Sequence, residues 1–195
     1  MARFGLAAAA LLATATITAA GESYRIDRNG SEVSFAVRHI TGPVRGAFTE
    51  FGGTIDLDAG RPERSSVEFR IKAASVDTRN EKRDAHLRSA DFFDVTRYPE
   101  IVFTSTKVAA ITAATFKVSG RLTIRGITRD VVLQVTQLGD ADRAQVGFKT
   151  ATTFNRKDYN ITWNRALDTG GWVLADEVEV SATLRTVRDG GQGTR

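Results

Sequence analysis

The chain of 195 residues contains no cysteine, three prolines and only two histidines. Without cysteine it can form neither disulfides nor thiolate metal sites, and it has no cysteine nucleophile. The two histidines, His39 and His86, are too few for most zinc sites, and no HExxH or similar spacing accompanies them. We therefore expect no metal site and no cofactor.

The sequence also lacks a strong excess of one charge, since 27 Lys and Arg residues stand against 23 Asp and Glu residues, for a formal net charge of +4. The basic residues are scattered, and no zinc-finger or helix-turn-helix pattern occurs, so we expect no nucleic-acid partner. There is no G-x-S-x-G motif and no glycine-rich phosphate loop. We predict no catalytic residues and a function in binding.

A single apolar run occurs, at residues 4–17, after Arg3 and before the small residues 18–20. It is shorter than the roughly 20 residues that span a bilayer as a helix, and the pattern is typical of a secretory signal peptide. We expect cleavage after Ala20, a domain over residues 21–188 and a flexible tail over residues 189–195. No second run predicts a membrane span.

Alternation of apolar and polar residues predicts β-strands over most of the remaining chain. In the first strand Val33, Phe35 and Val37 share one face, and a short strand at residues 24–27 precedes it. Further strands are predicted at residues 47–58, 65–73, 100–108, 115–124, 129–138, 145–154 and 177–187. Gly52 and Gly53 predict a bulge or bend within the strand at 47–58. The expected fold class is all-β, an eight-stranded antiparallel barrel, although a sandwich of two sheets shows the same alternation.

The segment at residues 75–103 interrupts the strands with charged residues of both signs. It predicts a short helical insert at about 79–90, with Asp77 or Thr78 as the N-cap. Phe92 and Phe93 follow as an aromatic hook, and Pro99 returns the chain to an extended strand. An insert of a different kind in a β-rich chain indicates a functional segment.

Four motifs resemble the YceI-like family of periplasmic polyisoprenoid-binding proteins. They are FAVRHITGPVRGAF at residues 35–48, SVDTRNEKRDAHLRSADFFDVTRYPEIVFTS at 75–105, VSGRLTIRGIT at 118–128 and NRKDY at 155–159. The resemblance implies a lipocalin-like barrel in the periplasm, whose elongated apolar cavity holds a polyisoprenoid or another long-chain lipid without catalysis. The sequence departs from the family at Asp130, where proline is common, and at Asn160, where glycine is common.

The apolar residues that fall in phase on the predicted strands are candidates to line such a cavity. They are Phe35, Val37, Phe48, Phe69, Ile71, Phe103, Phe116, Leu122, Phe148 and Phe154, and Trp163 joins them at a loop that runs to Trp172 and could form a lip. Burying a ligand methylene is worth about 0.8 kcal/mol, so such a cavity would hold a prenyl chain without charge contacts. The alternative is that these rings simply fill the barrel of a structural or stress-related module.

Five polar residues are candidates to contact the head group of a ligand at the barrel mouth: Arg38, His39, Arg83, His86 and Arg156. The simpler interpretation is that the arginines form solvated or barrel-capping ion pairs and that each histidine fixes a loop or the helix. A competing hypothesis is an exported enzyme or redox accessory that acts on a quinone-like lipid through His39 and His86. The sequence leaves a homodimer open.

Overall fold

The computed structural model describes residues 21–139, 144–167 and 173–189. The expected signal peptide at residues 1–20, Trp172 and all of the expected tail except Asp189 lie outside the described residues. Among the described residues, no helix has the length and the apolar character needed to cross a membrane.

The described residues form ten strand segments, one α-helix and three short 3₁₀ turns. The strands are β1 (Glu22–His39), β2 (Gly42–Phe48), β3 (Phe51–Leu57), β4 (Ser66–Lys72), β5 (Val76–Asp77), β6 (Glu100–Ala110), β7 (Thr115–Ile124), β8 (Ile127–Leu138), β9 (Gln145–Asn155) and β10 (Leu174–Arg188). The helix α1 is Glu81–Arg88, and the 3₁₀ turns are Pro62–Arg64, Ala73–Ser75 and Arg156–Tyr159.

The ten segments build a closed antiparallel barrel of eight strands, which confirms the predicted fold class. The long β1 pairs with β3 through its first residues and with β2 through its last ones, so β2 and β3 together count as one of the eight strands. In the same way β4 and β5 together count as the next strand, since they pair with β3 and β2 respectively. Pairing of β10 with β1 closes the ring.

The break between β2 and β3 differs from the single strand predicted at residues 47–58. The chain leaves the ladder at Thr49 and Glu50, where the Thr49 N–H donates to the Ser75 carbonyl at 3.1 Å. Gly53, taken from the sequence as a bend, lies within β3 with a φ of 157°. A side chain there would meet the Glu68 carbonyl oxygen at 2.1 Å, so glycine is required by the close approach of β4.

The hairpin between β7 and β8 has two central residues, Arg125 and Gly126, with φ of 48° and 72°. Two successive residues at positive φ form the tight turn that matches strand twist. The ladder therefore continues unbroken up to the Ile124–Ile127 pair. Arg125 extends from this turn and donates to the carbonyls of Ala90 and Asn160, which ties the hairpin to two loops at the same end of the barrel.

The described part of the wall is incomplete between β8 and β9. These strands pair only from Val135 against Thr150 to Leu138 against Gly147. The described residues 127–134 of β8 and 151–155 of β9 have no ladder between them, although each strand is paired along its other side. The barrel is thus continuous at one end of this seam and split towards the other.

The N-cap of α1 lies two or three residues after the predicted one. Asn80, not Asp77 or Thr78, is the cap, and its side-chain oxygen accepts from the Arg83 N–H at 3.0 Å. Asp77 instead accepts from the Arg79 N–H at 2.7 Å, which stabilises Arg79 in a left-handed conformation before the helix. The helix and the hook of Phe92 and Phe93 lie across one end of the barrel, where they line its interior. The chain that follows packs on the β7–β8 hairpin at the same end, through Tyr98 against Gly126.

Candidate functional site

The inward faces of the strands enclose two apolar chambers, a mouth chamber of about 560 Å³ and an inner chamber of about 170 Å³. The mouth chamber lies under α1 and reaches the exposed residues Asn80 and Lys82. The inner chamber lies farther from α1, between β1, β3, β4, β6, β7, β8, β9 and β10, and the exposed Lys149 of β9 is among its lining residues. Both are lined by Val33, Ile71, Leu122, Phe154 and Val180, so the two chambers are adjoining parts of one interior.

The structure brings every predicted apolar residue to this interior. Those at the mouth chamber are Phe35, Val37, Phe48, Ile71, Leu122, Phe154 and Trp163, and those at the inner chamber are Phe69, Ile71, Phe103, Phe116, Leu122, Phe148 and Phe154. Some of their rings do contact one another, as Phe35 and Phe48 do at 5.6 Å between centroids. The rings leave space between them, but their role in ligand binding stays a prediction.

Several lining residues were absent from the predicted set, and they fall into two groups. Strand residues of the correct parity, such as Val33, Val178 and Val180, could have been found by extending the same alternation along β1 and β10. Phe92 and Phe93 lie on no strand, and the sequence placed them only in a hook. Their position beneath α1 follows from the fold of that hook against the barrel end.

An aromatic cluster of His86, Phe92 and Trp163 lies at the mouth chamber. The His86 ring stands edge-on to both others, with centroids 5.0 Å from Phe92 and 4.8 Å from Trp163. Its Nε2 lies 2.8 Å from a carboxylate oxygen of Asp91. Hydrogen bonding and ring packing together orient the imidazole, as the sequence-based alternative for the histidines proposed.

Arg83 lines the mouth chamber from α1, while two of its nitrogens bind Thr78. Its Nε donates to the Thr78 hydroxyl at 2.7 Å, and an Nη donates to the Thr78 carbonyl at 2.8 Å. That hydroxyl in turn donates to the buried Asp84 carboxylate at 2.5 Å, which also accepts from the Thr78 N–H. The Arg83–Thr78–Asp84 chain fixes a cation at the chamber and leaves no buried polar group of the three unpaired.

Arg156 also lines the mouth chamber, but it is only 5% exposed, and its guanidinium forms hydrogen bonds within the protein. It donates to the carbonyls of Ile161, Trp163 and Ala175 at 2.7–2.9 Å and to Asp176 at 3.2 Å. Burial lowers the pKa of Arg156 from its ordinary value, and the charge of Asp176 opposes that shift. The residue holds the chain around Trp163 in place.

The remaining two polar candidates differ in position, because His39 lines the mouth chamber and Arg38 does not. His39 is half-buried at the mouth chamber, and its Nδ1 lies 2.8 Å from the Thr41 hydroxyl. Arg38 is exposed, has the opposite parity on β1 and is not among the residues that line either chamber. Four of the five predicted head-group residues therefore converge on the mouth chamber, and Arg38 does not.

The mouth chamber has a clear electrostatic character. Its polar lining consists of His39, Asn80, Lys82, Arg83, His86 and Arg156. No carboxylate is among the described residues of this lining, although Asp91 contacts His86 from outside it. Within residues 21–139, 144–167 and 173–189 no group of three or more His, Asp and Glu residues is placed to hold a metal ion. The rim of an apolar void is therefore cationic.

A third void, of about 810 Å³, lies on the outer face of the barrel and adjoins the interior, with which it shares the lining residues Phe35, Thr152 and Val180. It is lined mainly by residues of β1, β2, β9 and β10 and by residues 77–79, with both signs of charge represented by Arg45, Arg79, Glu32 and Glu179. Small side chains, such as those of Ser34 and Ser181 at 3.0 Å from each other, form its floor. It is larger than the mouth chamber, but it is a polar surface groove.

Asn160, which follows the 3₁₀ turn Arg156–Tyr159, adopts a left-handed conformation with φ of 56°. This explains the departure from the family pattern, because asparagine is the residue that best replaces glycine there. Beneath it Tyr159 is buried at the mouth chamber. Burial, with a smaller contribution from the charge of Asp158, raises the pKa of Tyr159 above its ordinary value.

Comparison with known proteins gives a consistent result. A UPF0312 protein of Pectobacterium carotovorum is 35% identical over 190 residues, which covers 94% of this chain and 95% of that protein. The crystal structure of BcnA from Burkholderia cenocepacia is 27% identical, has a TM-score of 0.75 and covers 82% of this chain and 98% of its own.

A polyisoprenoid binding domain from Saccharophagus degradans has the same fold, with a TM-score of 0.64, 18% identity and coverage of 86% of this chain and 99% of that one. The family model of the YceI-like domain matches residues 24–186. The match spans the whole barrel, from β1 to β10, and includes all the residues of the two chambers. The chain belongs to the YceI-like family.

Proposed function

We propose that the protein binds a single long amphiphile, a polyisoprenoid or a lipid of similar shape, with the tail in the two chambers and the head at the mouth. The observation that carries this proposal is the pair of adjoining apolar voids between in-phase strand residues. In a barrel whose side chains merely filled the interior, the rings would meet across it. Here the void of the mouth chamber alone, about 560 Å³, falls in the range of small-molecule sites.

Burial supplies the binding energy in this account. Each methylene removed from water is worth about 0.8 kcal/mol, and the chambers offer almost no polar partner to a tail. Ordering of a flexible chain and loss of translational freedom oppose this gain, so affinity rises by less than the buried area suggests. A molecule that fits the interior needs no specific hydrogen bond along its tail.

The mouth favours a head that is anionic or that accepts hydrogen bonds. Lys82 is exposed at the chamber, and Arg83 is held there by Thr78. Two cations without a lining carboxylate attract a phosphate or carboxylate group. Arg156 acts differently, because its donors are used by the Ile161, Trp163 and Ala175 carbonyls, so it supports the mouth instead of binding the head.

Relatives support the class of ligand. The structural neighbour from Saccharophagus degradans is a polyisoprenoid binding domain, and the family is known for binding and not for catalysis. The proposal adds export to the periplasm through a cleavable signal peptide at residues 1–20, on the basis of the apolar run that precedes the domain. In that compartment the protein would carry, store or sequester its lipid.

We do not propose the enzyme or redox accessory that would use His39 and His86. Each histidine has a local partner, Thr41 for His39 and Asp91 for His86, and no observation at the site favours turnover over binding. A His86→Ala variant that retained the lipid but lost a measured turnover of a quinone-like substrate would support the enzyme instead.

Native mass spectrometry of the protein expressed with its own N-terminal segment and isolated from the periplasm tests the proposal. We expect a one-to-one adduct of lipid mass that organic extraction removes and chromatography identifies. Denatured protein from the same preparation is the control for non-specific adducts. Protein that repeatedly carries no adduct and takes up no added polyprenyl lipid would contradict the proposal.

A further inference from the structure

We propose that the inner chamber is a blind end whose floor, formed by Ile55, Leu57 and Phe148, limits the length of the chain that the protein accepts. This inference rests on the proposed function, because it assumes that the tail of an amphiphile occupies the chambers. It adds a selectivity to that function, a preference for tails up to a fixed length, and it assigns that selectivity to named residues.

The floor residues have two sides, and each side faces a different environment. All three line the inner chamber, and all three belong to a separate packed cluster that Tyr24 and Val146 complete. Tyr24 and Val146 do not line the chamber; they lie behind the floor, 0% and 1% exposed. Ile55, Leu57 and Phe148 therefore form a wall between the void and a solid core.

Polar contacts secure the solid core behind this wall. The Thr186 hydroxyl is fully buried and donates to the Val146 carbonyl at 2.8 Å. The Tyr24 hydroxyl donates to Glu22 at 2.6 Å, and Glu22 also binds Arg188 at 2.7 Å. Burial, with the hydrogen bond to Glu22, raises the pKa of the Tyr24 hydroxyl, so that group stays neutral at the barrel end. A tail has no apolar exit in this direction.

The opposite end of the interior, at the mouth chamber, is open to solvent and has polar residues in its lining. Its lining includes the exposed Asn80 and Lys82 and the half-buried His39 and His86. The two ends differ in burial and in packing, so an amphiphile has one favourable orientation, with its tail first towards Phe148. A lipid whose tail already reaches the floor cannot bury additional methylenes. In a longer lipid, either the head group or part of the tail must remain exposed to water.

This geometry predicts a break in affinity along a series of ligands. While the tail is shorter than the interior, each added methylene is buried and raises affinity by up to about fourfold. Once the tail reaches Leu57 and Phe148, further methylenes add nothing or weaken binding. A tunnel open at both ends would show no such break.

The test is a competition assay with a series of straight-chain saturated fatty acids of increasing length. Each acid displaces the same bound fluorescent fatty acid, and each is used below the concentration at which it self-associates. We expect the wild-type protein to show a break at one chain length. Phe148→Ala removes the ring at the floor, and we expect it to move the break by two or more carbons towards longer acids. Val135→Phe, which fills the inner chamber beside the floor, should move it towards shorter acids.

Phe35→Ala is the matched control, because Phe35 lines the mouth chamber and not the inner one. It removes the same ring and should lower affinity for all acids of sufficient length without moving the break. Phe148→Leu is a milder variant should the alanine variant fail to fold, and circular dichroism identifies that failure. The shift expected for Phe148→Leu has the same direction and is smaller.

The outcomes separate this inference from the function on which it rests. Failure of every fatty acid and of polyprenyl lipids to bind would overturn the proposed function. Binding with a break that neither Phe148 variant nor Val135→Phe moves would leave that function standing and overturn the length limit. Affinity that rises without a break would also overturn the limit, and would indicate that the tail leaves through the split seam between β8 and β9.

Discussion

The imidazole of His86 stands edge-on to the indole of Trp163, with the ring centroids 4.8 Å apart and the planes at 86°. His86 belongs to α1, and Trp163 belongs to the segment that Arg156 holds through its carbonyls. One ring contact thus joins two separate elements that line the mouth chamber. Phe92 contacts both rings and completes the closure.

Removal of the indole should weaken this closure. An aromatic pair is worth about 0.5–1.5 kcal/mol beyond its buried area, so we expect Trp163→Ala to speed ligand release by roughly 3- to 10-fold. Stopped-flow displacement of a fluorescent fatty acid measures the rate. Ile111→Ala is the control, since it removes an exposed apolar side chain that lines neither chamber. An unchanged release rate would show that the aromatic cluster does not govern access.

Gly46 provides a way to narrow the mouth chamber without changing a residue that lines it. A Cβ at this position would lie 2.5 Å from the end of the Phe35 ring, which must therefore move. Because Phe35 packs between the wall and the chamber, we expect Gly46→Ala to displace its ring into the void and to lower lipid affinity several-fold. Isothermal titration with a fatty acid measures this effect.

The double variant Gly46→Ala with Phe35→Ala separates steric displacement from a general loss of stability. Without the ring, the new methyl group meets only the Thr78 Cγ2, at 2.8 Å, so Gly46→Ala should lower affinity much less in the Phe35→Ala background than in the wild type. If Gly46→Ala lowers affinity equally in both backgrounds, displacement of Phe35 is not the cause.

Arg156 should matter more for stability than for recognition of a head group. Arg156→Met leaves three carbonyls without their donor, and a buried polar group left unpaired costs about 1–3 kcal/mol. We expect a loss of about 2–4 kcal/mol in the free energy of unfolding, measured by urea denaturation. Lys157→Met is the control, because Lys157 binds the same Asp176 but its pair is exposed, and it should cost less than about 1 kcal/mol.

A small loss of stability in Arg156→Met, together with a large loss of affinity that is specific for anionic heads, would contradict this assignment. It would restore Arg156 to the head-group role that the sequence suggested.

The raised pKa of Tyr159 leads us to expect that the free energy of unfolding declines at alkaline pH. Its pKa is raised in the folded protein, so folding favours the protonated phenol. The stabilisation is present below the ordinary tyrosine pKa of about 10 and is lost as pH rises through the higher folded value. We expect unfolding midpoints to fall above about pH 10, and less steeply in Tyr159→Phe than in the wild type.

Tyr24 should also make the protein less stable at alkaline pH, because its pKa is raised as well. Burial is the larger cause of this shift, and the hydrogen bond to Glu22 is the next. Tyr24→Phe also removes that hydrogen bond, which makes Tyr159→Phe the cleaner variant. Equal alkaline slopes in the wild type and in Tyr159→Phe would show that this phenol does not contribute.

Much of the barrel follows from alternation, because a strand with one buried face has a period of two whatever its partners are. The strand predicted at residues 115–124 has the observed bounds of β7, and the eight-stranded barrel follows from the set. The break after Phe48 was missed because the Gly52–Gly53 pair was a stronger local signal than Thr49 and Glu50. That break depends on a hydrogen bond to Ser75, which is distant in the sequence.

The candidate site was predictable in its apolar part and less so in its polar part. Phase on a strand places Phe103 or Phe148 in the interior without knowledge of the partner strand. A charged side chain gives no such signal. Arg38 follows a lining residue on β1 and points outward. Arg156 donates hydrogen bonds to carbonyls that come close to it only in the folded loop. The floor at Leu57 and Phe148 was also hidden, since Tyr24 seals it from a segment predicted as a separate short strand.

The central claim, that a lipid tail occupies the interior, is tested most directly by a crystal structure with a fatty acid that carries bromine at the end of its tail. Anomalous scattering locates the bromine independently of the rest of the ligand. We predict a single peak in the inner chamber beside Leu57 and Phe148, with the carboxylate near Lys82 and Arg83. A peak only outside the barrel, as in the polar groove near Arg45, would contradict the account.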